Sequence, residues 1–202
     1  MDALGVDAVI FDLGGVLADF GGVGPMRRLA GIDSDDELWR RWLSCRWVRS
    51  FESGDCTAEA FAAGVVADWG LPVSPATFLD GFRSWVVAPF PGAEELVRRV
   101  RRSVPVGCLS NTNVAHWADG VSRWPLVELF DFRFLSFEMG LLKPDRQVFD
   151  YVVRATGVAP SRLLFLDDNA LNIESARAAG LEAVLVRGTD EARRAVTAVG
   201  LL

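Results

Sequence analysis

The stretch VDAVIFDLGGVL, residues 6–17, decides how this chain folds. Its first half is a short, uninterrupted apolar run, which is typical of a strand buried in a parallel sheet. The run ends at a carboxylate, Asp12, and glycines follow at positions 14 and 15. In an open α/β sheet, ligands bind at the carboxyl ends of the strands. An acid at this place therefore predicts a functional site at the end of the first strand.

The rest of the chain alternates between strand-like and helix-like patterns. Apolar runs typical of buried strands recur at residues 104–110, 132–137, 162–167 and 182–187. Helical patterns between them are clearest at residues 91–102, 144–157 and 169–180. Pro144 is expected in a first helical turn, and Gly157 and Gly180 just past helix ends. The alternation predicts an α/β fold, a doubly wound parallel sheet of the Rossmann-like kind with helices on both faces.

Residues 18–88 differ because they contain helical patterns and no convincing strand. Ser34 with Glu37 indicates a capping box, and Thr57 precedes a helical pattern that stops at Gly70. We therefore expect residues 1–17 and 89–202 to form the core domain, with residues 18–88 inserted after the first strand as a helical cap.

Two features of this cap bear on specificity. The segment FESGDCT, residues 51–57, reads as a polar turn between helices and is the best candidate for a specificity loop. Most of the tryptophans lie in the same interval and are expected in the cap's own core or in its seam with the core domain, with one or two facing a ligand: Trp39, Trp42, Trp47, Trp69 and Trp85.

Composition limits the partners and the compartment. The 202 residues carry a net charge of −6, which argues against nucleic acid or an anionic membrane and favours a small-molecule ligand. Cys45, Cys56 and Cys108 are an odd number without metal-ligand spacing, and we interpret them as reduced thiols. There is no secretory signal pattern and no apolar stretch of membrane-spanning length. We expect a cytoplasmic monomer or homodimer.

The other predicted strands also end in polar residues. Ser110 and Asn111 follow the second run, Asp167 and Asp168 end the fourth, and Lys143 lies in a loop, GLLKPD, after the third. Three carboxylates cannot share a small site without a cation, because their repulsion would protonate some of them. Carboxylate and carbonyl oxygens are the ligands that Mg²⁺ prefers. With Lys143 and a serine hydroxyl, such a site would receive a phosphate dianion, and Asp12 could attack its phosphorus.

These residues resemble the four motifs of the haloacid dehalogenase-like (HAD) superfamily, in order. They are FDLGGVL (11–17), CLSNTN (108–113), LKPD (142–145) and FLDDNALN (165–172), and the resemblance covers essentially the whole chain. It implies an Mg²⁺-dependent phosphatase with a phosphoenzyme intermediate on Asp12. It also implies Asp12, the Gly14 carbonyl and Asp168 as metal ligands, with Asp167 just outside them orienting Lys143 or a metal-bound water.

The same resemblance implies phosphate contacts from Ser110, Asn111 and Lys143. Many members carry another acid four residues after the second acid of the last motif, where this chain has Asn172, so no metal contact is expected there. A narrower resemblance is to bacterial phosphatases of alpha-D-glucose 1-phosphate, carried by SNTNVAH (110–116), LSFEMGLLKP (135–144) and DDNALNIE (167–174). It makes sugar phosphates the leading substrate class.

Gly14 keeps two other functions open, since most phosphatases of this family carry an Asp there as general acid and base. One is a metal-independent 2-haloacid dehalogenase, which also uses an Asp nucleophile. The other is a phosphate-binding protein with little turnover. If the chain is a phosphatase, the missing acid is expected to favour good leaving groups such as anomeric, acyl or aryl phosphates. His116, the only histidine, is expected to be structural more often than catalytic.

Overall fold

A five-stranded parallel sheet forms the centre of the molecule in the computed structural model, which describes residues 5–202. The strands of the described chain are β1 Ala8–Phe11, β2 Ala18–Phe20, β3 Val86–Pro89, β4 Val106–Ser110, β5 Phe132–Leu135, β6 Leu163–Asp167 and β7 Glu182–Leu185. The sheet order is β5-β4-β1-β6-β7, with every pairing parallel. The predicted fold class is confirmed, and β1 lies at the centre, where its apolar residues are buried on both faces.

Helices cover both faces of the sheet and fill the insertion. They are α1 Val23–Ala30, α2 Asp35–Ser44, α3 Arg46–Glu52, α4 Ala58–Trp69, α5 Pro75–Arg83, α6 Ala93–Val100, α7 Val114–Asp119, α8 Ser136–Met139, α9 Arg146–Thr156, α10 Ala170–Ala178 and α11 Gly188–Ala198. One apolar cluster packs α6 and α11 against the sheet, and another packs α9 and α10 against its opposite face. None of the described helices has the length and apolar character needed to span a bilayer.

The expectation of no strand within residues 18–88 was wrong. Strands β2 and β3 form an antiparallel ribbon in which Asp19 pairs with Ala88, at the two crossings between the core and the insertion. Such short strands leave no periodic pattern in the sequence, and their pairing depends on chain segments that are far apart. Residues 1–4 of the expected core range lie outside the described residues.

The helices α1–α5 pack around an apolar cluster of their own. Trp42, Phe61 and Phe82 are buried at its centre, and Gly64 lets the Trp47 ring approach so closely that a Cβ there would lie 2.1 Å from it. The expected caps are present, because Ser34 Oγ accepts from the Glu37 amide at 3.4 Å and Thr57 Oγ1 from the Ala60 amide at 3.2 Å. The insertion therefore has a rigid interior on which a ligand-facing surface can be built.

One helix boundary in the core differs from the expectation. Pro144 was expected in the first turn of α9, but the helix begins at Arg146 with Asp145 as its N-cap residue. The Asn111 side chain accepts from the Lys143 amide and donates to the Lys143 carbonyl. These bonds hold the chain just before Pro144 in a loop conformation. At the other end, Gly157 adopts φ +68° and ends the helix as expected.

Candidate active site

The polar residues that end β1, β4 and β6 meet at one edge of the sheet. Phe11 is in register with Cys108 on one side and with Leu166 on the other, so the next residue or two of each strand come together. Asp12, Ser110 and Asp167 are buried at this edge, and Asp168 beside them is half-buried. The parallel order of the strands thus assembles the predicted group of side chains.

Lys143 is the centre of the site. Its ammonium nitrogen lies 2.9 Å from Asp12 Oδ1 and donates to Asp167 Oδ2 at 2.7 Å and to the Leu109 carbonyl at 3.0 Å. The side chain is 4% exposed, and it belongs to the only lysine in the sequence. Burial alone lowers the pKa of this amine, but the charges of Asp12 and Asp167 outweigh it and hold the pKa above its ordinary value. Lys143 is therefore a fixed positive charge at neutral pH.

The loop that carries Lys143 is held in place by Asn111. The Asn111 side chain accepts from the Lys143 amide at 2.9 Å and donates to the Lys143 carbonyl at 3.0 Å. A second link joins Ser136 to the backbone of Thr112. The Ser136 hydroxyl accepts from the Thr112 amide and donates to the Thr112 carbonyl, both at 2.9 Å. Asn111 thus has a positioning task, and its contact with phosphate stays a prediction.

Asp167 is fully buried, and hydrogen bonds engage both of its oxygens. Oδ1 accepts from the Asn169 amide at 2.8 Å and from Asn172 Nδ2 at 2.9 Å, while Oδ2 accepts from Lys143 Nζ and also from Asn172 Nδ2. These bonds fix the carboxylate so that it orients Lys143. Asn172 therefore acts through Asp167, a contact that the sequence alone did not suggest.

The donor set fits a hard divalent cation. Carboxylate oxygens of Asp12, Asp167 and Asp168 lie within 4.8 Å of one another. Burial raises the pKa of Asp12 to about 8, opposed by Lys143, and burial followed by the Asp167 charge raises the pKa of Asp168. A cation beside Asp12 and Asp168 would reverse these shifts, because a positive charge favours the ionised form. The three carboxylates can therefore hold a hard cation such as Mg²⁺, and the assignment of Asp12 and Asp168 as its direct ligands stays a prediction.

The two glycines after Asp12 have different environments. Gly15 adopts φ +71°, and a Cβ there would lie 2.2 Å from Asp168 Oδ2, so this position needs glycine to leave room for that carboxylate. A Cβ at Gly14 would meet nothing within 4 Å. A side chain would fit at Gly14, and the absence of an acid there is not imposed by crowding. The Gly14 carbonyl as a metal ligand stays a prediction.

A cavity of about 840 Å³ lies over these residues, between the cap and the core. Its floor includes Asp12, Ser110 and Lys143, and its cap side includes Trp39 and Glu52. Trp39 is 37% exposed, so part of its ring faces the cavity. The volume is within the range of small-ligand sites, and the combination of polar floor and aromatic wall suits a small polar molecule with a charged end.

His116 lines the cavity but is engaged on both ring nitrogens. Nε2 lies 2.8 Å from the Phe82 carbonyl, and Nδ1 lies 3.3 Å from Asn113 Nδ2. Burial lowers the pKa of His116 to about 4, against the opposing bond to Phe82. The neutral ring therefore donates from Nε2 and accepts at Nδ1, and it joins the core helix α7 to the cap helix α5. This is the structural role expected of a lone histidine.

The site includes residues that sequence reasoning missed. Glu52 and Arg49 reach the cavity from α3, and Asn172 supports Asp167 from α10. Glu52 stands in the segment expected to be a specificity loop, but neither periodicity nor spacing indicates that its side chain faces Lys143. Only the packing of the cap on the core brings these groups together.

Comparisons with known proteins give a family match and several relatives. The family model of haloacid dehalogenase-like hydrolases matches residues 6–180. The chain is 28% identical to "Phosphatase MT3486" of Mycobacterium tuberculosis over 96% of this chain and 93% of that protein. It is 26% identical to "D-ribitol-5-phosphate phosphatase" of Bacteroides thetaiotaomicron over 86% of this chain and 88% of that one.

Solved structures share the fold at lower identity. A HAD family enzyme of Bacteroides thetaiotaomicron, in complex with magnesium and inorganic phosphate, has a TM-score of 0.71 and 23% identity over 91% of this chain and 95% of its own. The L-2-haloacid dehalogenase of Xanthobacter autotrophicus has a TM-score of 0.65 and 22% identity, over 90% of this chain and 77% of its own. The shared fold is therefore common to phosphate-binding members and dehalogenases, and the chemistry has to be argued from the site.

Proposed function

The chain belongs to the haloacid dehalogenase-like hydrolases, and from that membership we propose that it is a magnesium-dependent phosphatase of small phosphate monoesters. One observation carries the proposal: Asp12, a buried carboxylate, lies 2.9 Å from the fixed charge of Lys143 inside a group of three carboxylates. This arrangement supplies a nucleophile, a cation for the transferring phosphoryl group and oxygen donors for Mg²⁺. The phosphatase names of two relatives support the same conclusion.

In the proposed reaction, Asp12 attacks phosphorus and becomes an aspartyl-phosphate, which water then hydrolyses. Ser110 and Lys143 bind the phosphoryl oxygens, and Asp167 holds Lys143 in position. Mg²⁺, held by Asp12, Asp168 and the Gly14 carbonyl, would supply positive charge that offsets the repulsion between Asp12 and the phosphate dianion. Because these groups are fixed before the substrate arrives, they need no reorganisation during the reaction.

We place sugar phosphates such as an aldose 1-phosphate first among the substrates. Trp39 offers an aromatic face in the cavity, and Asp19, Asp35 and Asp36 offer carboxylate acceptors for hydroxyl groups on the cap side. A relative named for D-ribitol 5-phosphate supports a polyhydroxylated substrate. We further propose that residues 1–17 and 89–202 act as the catalytic domain, and that residues 18–88 act as the cap that selects the substrate.

A metal-independent dehalogenase is the main alternative. Asp168 argues against it, because a metal-free site would have to keep Asp12, Asp167 and Asp168 together with the single charge of Lys143. A phosphate-binding protein with little turnover is the second alternative, based on the absent side chain at Gly14.

A substrate panel with and without metal tests the proposal. We expect phosphate release from aldose phosphates in the presence of Mg²⁺ and loss of that release in EDTA, with recovery when Mg²⁺ is added back. Turnover of 2-haloacids that survives EDTA, with no phosphate release from any ester, would replace the proposal with the dehalogenase. Binding of phosphate without release from any ester would favour the binding protein.

A further inference from the structure

The proposed phosphatase reaction leaves one chemical requirement unassigned. When the P–O bond of an unactivated ester breaks, the departing alkoxide needs a proton, and the attacking water later has to lose one. Gly14 has no side chain, so the segment that carries the nucleophile supplies no acid. The proton donor has to be another group that reaches the cavity.

Most titratable groups on the cavity wall are excluded by their contacts. Lys143 keeps its protons, because the charges of Asp12 and Asp167 hold its pKa above the ordinary value, and His116 is neutral with both ring nitrogens bonded. Arg49 and Arg187 offer guanidinium groups, which act in proteins as hydrogen-bond donors and not as general acids. Asp12 and Asp168 must be ionised in order to attack phosphorus and to bind the metal.

The acids on the outer cap wall do not meet the requirement either. Asp19, Asp35 and Asp36 line the cavity, but all three are exposed to solvent. Asp35 is also paired with Arg27 at 2.9 Å. Among the described residues that line the cavity, the remaining carboxyl group is that of Glu52.

Glu52 is held over the site by contacts between the cap and the core. It is the last residue of α3, one turn after Arg49, whose guanidinium lies 3.2 Å from Asp145 in the loop after Lys143. Just beyond it, a Cβ at Gly54 would lie 2.4 Å from the Phe137 carbonyl, so the chain here lies directly on the core. These two contacts, on either side of Glu52, hold this end of α3 on the core beside the loop that carries Lys143.

The charges around Glu52 allow it to exchange a proton near neutral pH. Burial raises the pKa of Glu52 to about 7, while Lys143 and Arg49 act in the opposite direction. Lys143 faces it from the core, Arg49 lies on its own helix, and Asp145 faces Arg49. A carboxyl group with this pKa is protonated in a useful fraction at neutral pH and can also act as a base after it has lost the proton.

We propose that Glu52 of the cap is the general acid and base of this phosphatase, in place of an acid at Gly14. This inference rests on the proposed function. In the first step, Asp12 forms a bond to phosphorus, the bond to the leaving oxygen breaks, and that oxygen takes the proton of Glu52. In the second step, water attacks the aspartyl-phosphate and gives a proton to the Glu52 carboxylate, which restores Asp12 and releases inorganic phosphate.

The first test compares leaving groups in Glu52→Gln, with Glu59→Gln as control. Glu59 is an exposed cap residue outside the cavity lining. For a primary alkyl phosphate we expect kcat/KM of Glu52→Gln to fall by about 10²-fold or more. For 4-nitrophenyl phosphate we expect a first burst of nitrophenolate at close to the wild-type rate, since this leaving group needs no proton. The control should match the wild type on both esters.

The outcomes separate this inference from the proposed function. A wild type that releases no phosphate from any ester with Mg²⁺ would overturn both. A wild type that is active, with Glu52→Gln unchanged on the alkyl ester or equally slow in the burst, would overturn the role of Glu52 alone. The absence of an acid at Gly14 led us to expect a preference for good leaving groups. If Glu52 supplies the proton, Glu52→Gln should show this preference and the wild type should not.

A second test restores an acid from the other side of the cavity. The open space around Gly14 admits a side chain. We expect the double variant Gly14→Asp/Glu52→Gln to hydrolyse the alkyl phosphate about tenfold faster or more than Gly14→Ala/Glu52→Gln, because only the former regains a proton donor. Equal rates for the two double variants would contradict the assignment of acid and base to Glu52.

The third test measures the proton on Glu52 without metal or substrate. An ordinary glutamate pKa is 4.5, so between about pH 4.5 and pH 7 the folded state binds a proton that the unfolded state has lost. The contribution of Glu52 to the stability of the wild type should therefore be lost as pH rises through this window, and Glu52→Gln lacks that contribution. We expect the unfolding free energy of Glu52→Gln minus that of the wild type to increase from about pH 5 to pH 8. A difference that does not change with pH would overturn the proposal.

Discussion

The ammonium nitrogen of Lys143 lies 2.9 Å from Oδ1 of Asp12, and the same nitrogen donates to Asp167 at 2.7 Å. This contact joins the loop between α8 and α9 to the ends of β1 and β6. Every other basic side chain in the sequence is an arginine apart from His116, so a lysine is used only where a compact charge has to make three short contacts. The site is therefore organised around one ammonium group.

Replacement of Lys143 by methionine should damage both stability and catalysis. The Asp12 and Asp167 carboxylates would remain buried without their partner, and we expect the free energy of unfolding to fall by about 3–5 kcal/mol. The phosphoryl group would lose a fixed cation, and kcat should fall by about 10²-fold or more. Denaturant unfolding and steady-state phosphate release measure the two effects.

Lys143→Arg separates charge from geometry. Arginine keeps the positive charge but presents a planar group that cannot place one nitrogen among three acceptors. We expect its loss of kcat to approach that of the methionine variant. An arginine variant with wild-type kcat would show that charge alone is sufficient, contrary to this account.

Gly15→Ala tests the link between the glycine and the metal ligand Asp168. The new Cβ would lie 2.2 Å from Asp168 Oδ2, so the carboxylate would have to move. We expect Mg²⁺ affinity, measured by titration calorimetry, to fall about 10–100-fold. The positive φ should cost a further 1–2 kcal/mol, approximately, in unfolding free energy.

Gly157→Ala is the matched control. Gly157 has φ +68°, close to the +71° of Gly15, but a Cβ there would meet nothing within 4 Å. It should show the loss of stability that the positive φ causes and unchanged Mg²⁺ affinity. Equal Mg²⁺ affinities in the two variants would mean that Asp168 is not held by this close approach.

His116→Phe tests whether the histidine is structural. Phenylalanine can keep the stacked contact with Phe82, whose ring centroid lies 4.1 Å away, but it leaves the Phe82 carbonyl without its donor. We expect a loss of about 1–3 kcal/mol in unfolding free energy at neutral pH and a pH–rate profile of unchanged shape.

The same variant has a predictable pH dependence. The folded-state pKa of His116 is about 4, below its ordinary value of 6.5, so the folded state binds fewer protons in this window. The contribution of His116 to the stability of the wild type should be lost as pH falls from about 6.5 towards 4, and the variant lacks that contribution. The difference in unfolding free energy between the wild type and His116→Phe should therefore become smaller in acid. A difference that becomes larger would contradict the assignment of His116 as a buried neutral ring.

The sheet and its chemistry follow from local features of the sequence. Strands β1, β4 and β6 are short apolar runs with a polar residue at their last position or directly after it, so Asp12, Ser110 and Asp167 could be placed at one edge without a structure. The helix caps Ser34 and Thr57 could also be predicted from the sequence, because each cap is a hydrogen bond to the amide three positions further along the chain. Local signals of this kind do not depend on the rest of the fold.

The features that the sequence did not reveal depend on contacts between distant segments. The ribbon of β2 and β3 pairs residues about seventy positions apart, and Asn111 supports Lys143 across a sequence separation of 32. Glu52 belongs to the cap, and only the docking of α3 on the core brings it near Lys143. No periodicity or spacing along the chain encodes these pairs.

The most direct test of the central claim is to trap the intermediate on Asp12. Enzyme turning over a sugar phosphate with Mg²⁺ would be quenched in acid, reduced with borohydride and digested, and the peptide containing residues 6–17 examined by mass spectrometry. We predict homoserine in place of Asp12, the product of reducing an aspartyl-phosphate, and none in Asp12→Asn or in EDTA. Phosphate release at full rate with an unmodified Asp12 would contradict the account.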